Sequence, residues 1–139
     1  MRRIAIGMTL VAAGASVGVA VASGEGDPML AKVGSEKFQQ YCTSCHGPTG
    51  VGDGPAASAL RTQPADLTHI AARRGGTFPD AEIARFIDGR FDMPSHGSRE
   101  MPIWGEKLGE PVVEGASHDE IVRGKLLALI EYLKTIQKP

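Results

Sequence analysis

Cys42 and Cys45 are the only cysteines in a chain of 139 residues; they stand three apart, and His46 follows directly. The pentad Cys42-Thr43-Ser44-Cys45-His46 constrains this chain more than any other feature. Any fold must bring both thiols and an imidazole to within one turn of backbone. A disulfide between the two would close too short a loop to restrain much of the unfolded chain. A chemical role is therefore expected for the pair.

The spacing is CxxCH, the signature of covalent haem attachment. On a helical turn, residues i and i+3 face the same way. Both thiols can then reach the two vinyl groups along one haem edge and form thioethers, and His46 projects beneath the porphyrin as the proximal iron ligand. Two other readings compete. A redox-active dithiol sits in a βαβ context, which this sequence lacks, and a zinc site needs further ligands, while no other cysteine exists. Haem c, one per chain, is the expected cofactor. Scarce aromatic residues (four Phe, two Tyr, one Trp) leave a thin core, and a buried porphyrin would supply apolar mass.

The first 22 residues run Met1-Arg2-Arg3, then an uncharged apolar stretch, then Ala20-Val21-Ala22. This is the pattern of a signal peptide, with removal expected after Ala22 and an uncleaved membrane anchor as the alternative. The composition favours cleavage, because Ala, Gly, Val and Ser dominate the run. An exported, periplasmic location follows, where haem c is attached. Without Arg2 and Arg3 the remainder has 13 basic against 16 acidic residues, a formal charge of −3. No basic block is present, so nucleic acid is not an expected partner. The membrane is expected only if the N-terminal segment is retained.

Residues 23–33 read as a flexible tail and 34–139 as one domain. A helix is predicted from about Ser35 to His46, with Ser35 as its cap. The Gly- and Pro-rich stretch 47–55 excludes regular structure. One helical turn is expected at 56–60 and another capped by Asp66. Residues 79–88 read as a helix stopped by Gly89, with Ile83, Phe86 and Ile87 as its buried stripe. Residues 89–116 contain five glycines and three prolines and read as irregular. Ser117 and Glu120 form a capping box before a long helix carrying Ile121, Leu126, Leu129, Ile130, Leu133 and Ile136. No alternating strand pattern occurs. The fold class is all-α, three to five short helices with long ordered loops.

Over residues 33–137 the chain resembles the class I cytochromes c of the small bacterial monohaem type. Gly34, Phe38 and Cys42 match the family's N-terminal helix, and Leu129 and Tyr132 match the apolar–aromatic pair of its C-terminal helix. The resemblance implies that these helices cross in contact at Gly34. Gly54-Pro55 resembles the turn whose carbonyl accepts a hydrogen bond from the proximal histidine, with Pro64 as a competitor. Arg99-Glu100-Met101-Pro102-Ile103-Trp104-Gly105 looks like the family's methionine loop, which implies Met101 as the sixth ligand. Met93, also followed by proline, and His96 remain alternatives. Trp104 could lie against the haem with its N–H on a propionate, or simply pack; Arg99 could pair with a propionate, or lie on the solvated surface. Surface positions are expected for Arg73, Arg74, His69 and His118.

The resemblance implies an electron carrier rather than an enzyme. Its expected partners are a redox donor and acceptor: a respiratory dehydrogenase, reductase or oxidase. Alternatives are a haem subunit of a larger respiratory complex, or an enzyme or sensor whose haem keeps an open sixth site.

Overall fold

The computed structural model describes residues 26–90, 101–110 and 114–139. Among them are five α-helices and three short 3-10 turns, with no strand: an all-α fold, as the sequence predicts. The helices are α1 (Pro28–Tyr41), α2 (Thr43–His46), α3 (Asp80–Asp88), α4 (Trp104–Leu108) and α5 (His118–Thr135). No helix among the described residues is long and apolar enough to cross a membrane.

Helix α1 begins seven residues before the expected start at Ser35. Asp27 is its cap: the carboxylate accepts the N–H groups of Met29 at 2.8 Å and Leu30 at 3.3 Å. Pro28 occupies the first helical position, where a missing N–H costs nothing. Residues 28–33 therefore belong to the helix and not to a flexible tail. The Asp-Pro pair carries this start signal, although Pro28 reads at first as a helix breaker.

Helix α5 starts where its capping box puts it. Ser117 N–H donates to Glu120 Oε2 at 2.8 Å, and Glu120 N–H donates back to Ser117 Oγ at 3.3 Å. Its inner face buries Val122, Leu126, Leu129, Ile130 and Leu133. Helix α1 packs along this face in the most extensive helix–helix contact of the fold, and α3 and α4 also rest on α5. Gly34 lies directly on the Ala128 backbone and the Tyr132 β-carbon. One turn on, the Phe38 and Tyr132 rings sit 5.1 Å apart, tilted by 47°. Leu129 joins Phe38 in the same buried cluster. The expected crossing is present, with Ala128 as the residue that Gly34 touches most closely.

Helix α3 follows Pro79 and stops at Gly89, which takes φ +68° and donates its N–H to the Arg85 carbonyl. Lys134 on α5 bridges Glu131 and Asp80, tying α3 to α5. The expected stripe of α3 is only partly buried. Ile87 is covered, Ile83 is half-buried, and Phe86 remains 38 % exposed. This face of α3 packs on α5 in part and also borders a cavity, which Ile83, Phe86 and Ile87 line. Helix α4 interrupts the stretch expected to be irregular; its five residues, Trp104–Leu108, are too few to show a period.

Candidate haem site

The attachment motif sits at a break between two helices. Cys42 closes α1, its N–H donating to the Phe38 carbonyl at 2.9 Å, and its own carbonyl then accepts from His46 N–H at 2.9 Å, starting α2. The short helix carries Cys45 and His46, and Gly47 ends it at φ +76°. Such a helix leaves its last carbonyls without partners. The glycine-rich loop supplies them: Ala56, Gly54 and Gly52 donate to the carbonyls of Ser44, Cys45 and His46 at 2.8, 3.1 and 2.8 Å. Gly54 lies so close to Thr43, Ser44 and Cys45 that a β-carbon would strike their backbone. Thus Gly54-Pro55 braces the back of the motif.

The carbonyl that meets the histidine is not that of Pro55. His46 Nδ1 lies 3.0 Å from the Ala65 carbonyl oxygen, one residue past Pro64. A carbonyl can only accept, so Nδ1 carries the proton. In a neutral imidazole Nε2 is then left with its lone pair, the form that binds a metal. Burial favours that neutral form, holding His46 below the usual histidine value, against the opposing effect of the Ala65 bond. Sequence reasoning missed Ala65 because the contact joins residues 19 apart; Pro64 was the nearest local signal.

Both cysteines are free. Burial, reinforced by the neighbouring Cys45, pushes the Cys42 thiol up to about 12. A thiol so hard to ionise is a poor redox nucleophile at neutral pH. Among the described residues no group of three or more His, Cys, Asp or Glu could hold a metal ion.

A cavity of about 270 Å³ opens beside the motif. Phe38, Leu67, Ile70, Ile87, Leu129 and Leu133 form its apolar wall. Cys42, His46 and Met101 all border it. Arg73, Arg74, Glu82 and Phe86, all exposed, line its open side. Arg73 Nη2 donates to the Asp66 carbonyl at 2.6 Å, and Arg74 pairs with Glu82. The two arginines are surface residues as expected, yet they border the cavity as well.

The arrangement fits a haem. An apolar cavity borders the Cys42 thiol, an imidazole with a free nitrogen lone pair and a thioether, with Arg73 and the Arg74–Glu82 pair at the rim; Cys45 sits beside Cys42 in the motif but does not line it. Met101 is half-buried and packs against the core. Trp104 is not among the residues that line the cavity; its ring lies on Tyr41, ring centroids 5.7 Å apart. Arg99, Met93 and His96 lie outside the described residues. His69 and His118 are half-buried, not fully solvated. His69 Nδ1 lies 3.0 Å from Asp66 Oδ2, and His118 Nε2 lies 3.4 Å from the Glu106 carbonyl.

Neither a curated protein nor a solved structure matches the chain. Residues 30–117, well over half of its length, match the family described as cytochrome c oxidase, cbb3-type, subunit III. The chain belongs to that family: it is a c-type cytochrome domain, and its cofactor is one covalently bound haem c.

Proposed function

We propose that this chain is an exported single-electron carrier in which Cys42 and Cys45 hold the haem by thioethers and His46 and Met101 bind its iron. One observation carries the reading: His46, with Nδ1 committed to Ala65, borders the same apolar cavity as Met101. When bound, the haem supplies an iron that alternates between Fe(II) and Fe(III).

The chain's own residues would do the rest. Ala65 fixes the His46 tautomer and ring orientation. The thioether of Met101 is a soft donor that favours Fe(II) and so raises the potential. Phe38, Leu67, Ile70 and Leu129 exclude water, which keeps the coordination sphere unchanged between oxidation states. Arg73 and Arg74 bring positive charge to the rim, where haem propionates need it. Removal of residues 1–22 would release the domain to the periplasm, where a redox donor and acceptor dock at the cavity's open side.

A second reading places the same domain as a haem subunit of a larger respiratory complex, favoured by the description of its family. The test is purification of the full chain from membranes and from the periplasm, followed by intact mass and carbon monoxide titration. The carrier reading expects a soluble haem protein lacking residues 1–22 that does not bind carbon monoxide. Recovery in a membrane complex favours the subunit reading. Ready uptake of carbon monoxide overturns the six-coordinate site and leaves an open-site enzyme or sensor.

A further inference from the structure

Three helix ends meet at one charged node. Arg90 directly follows Gly89, the cap of α3, and its guanidinium turns back onto Asp88. Nε donates to Oδ1 at 2.6 Å and Nη2 to Oδ2 at 3.0 Å, while the Arg90 backbone N–H reaches Oδ1 at 3.3 Å. The remaining arm, Nη1, donates to Asp119 Oδ1 at 2.6 Å in the first turn of α5. Asp88 is 5 % exposed. On the other side stands Gly105 of α4: a β-carbon there would strike Asp88 Oδ1 and come within 2.5 Å of Arg90 Nε.

Placement along the chain gives the node its meaning. Residues 91–100 join Arg90 to Met101, and Gly105 lies four residues beyond Met101. One flank of the segment that delivers Met101 thus begins at the node, and the other passes in close contact with it at Gly105. Burial of charge makes such pairs weak sources of stability, and their best-attested use is to fix geometry. A planar fork on a buried carboxylate sets both distance and direction. The exposed arm to Asp119 adds little energy.

We propose that Asp88 and Arg90 are positioning residues for the distal ligand, holding the start of α4 against the end of α3 so that Met101 stays on the haem iron. The proposal rests on the reading of Met101 as that ligand. It is tested on the haem-loaded protein with Asp88→Asn, Arg90→Lys and the peripheral control Asp119→Asn, with Met101→Ala for reference. The readouts are the near-infrared band of methionine sulfur on Fe(III), the rate of carbon monoxide uptake by the ferrous protein, and the denaturant midpoint.

Arg90→Lys keeps the charge but loses the fork. It should take up carbon monoxide at least roughly tenfold faster than wild type, equivalent to about 1.4 kcal/mol. Asp88→Asn should do the same, or more, while Asp119→Asn stays within about twofold of wild type by the weakness of exposed pairs. If Asp88→Asn fails to fold, Arg90→Lys carries the test alone. A wild-type band that Met101→Ala abolishes, with Arg90→Lys shifting only the denaturant midpoint, overturns the positioning role and leaves the ligand intact. A wild-type band that survives Met101→Ala overturns the ligand assignment, and the positioning role with it.

Discussion

Gly34 of α1 lies against the backbone of Ala128 on α5 with no room between them for a β-carbon. The Ala128 carbonyl belongs to the interior of a helix and cannot move aside alone. Gly34→Leu should therefore separate the helices and disturb the Phe38–Tyr132 ring pair beside them. The expected loss is about 1–3 kcal/mol, the usual cost of inserted bulk, or somewhat more because the obstacle is backbone. Denaturant unfolding measures it; an unchanged midpoint would contradict the close crossing.

Gly124 offers the opposite case on the same helix. It is exposed, and a β-carbon there meets nothing within 4 Å. Gly124→Ala should stabilise the protein by about 0.5–1 kcal/mol, the gain from replacing a helical glycine. The same unfolding assay gives the sign.

Acid should weaken the segment that carries Ala65. The Thr68 hydroxyl and N–H both donate to Asp66, at 2.7 and 2.8 Å, and these bonds hold its carboxyl down to about 2, against an ordinary 3.8. The unfolded chain then binds more protons than the folded one between those values. Stability from Asp66 is fully present above about pH 4 and is lost as pH falls toward 2. Asp66→Asn, which cannot ionise, should flatten part of the stability–pH slope in this window. Asp88, Asp119 and Glu120, also held below their ordinary values, should keep the remaining slope.

Covalent attachment predicts that haem stays with the polypeptide through acid–organic extraction. Cys42→Ala or Cys45→Ala should sharply lower the yield of loaded protein, read as haem absorbance per polypeptide. Complete extraction of haem from the wild type would refute the thioethers.

Features set by neighbours in sequence were legible before the structure. The capping box Ser117–Glu120 and the Pro79–Gly89 bracket locate α5 and α3 because each signal is local. The Cys42–Cys45–His46 motif is local too: it stands at the end of α1 and in α2, where Cys42 and His46 border the cavity and Cys45 does not line it. Misreadings arose where signals conflicted or contacts were distant. Pro28 reads as a breaker unless paired with the Asp27 cap. Phe86 reads as core by periodicity, but its face meets a cavity. Ala65 reaches His46 only through the fold of two loops, and no local pattern marks it. For Trp104 the sequence offers haem contact or packing, and its ring lies on Tyr41, a partner 63 residues away in sequence.

The most direct measurement is the near-infrared spectrum of the ferric protein and its variants. Sulfur bound to Fe(III) gives a weak band there. Wild type should show it, and Met101→Ala should lose it, lower the potential and admit carbon monoxide. Met93→Ala and His96→Ala should leave all three properties nearly unchanged. Loss of the band in Met93→Ala, with its survival in Met101→Ala, would contradict the assignment of Met101.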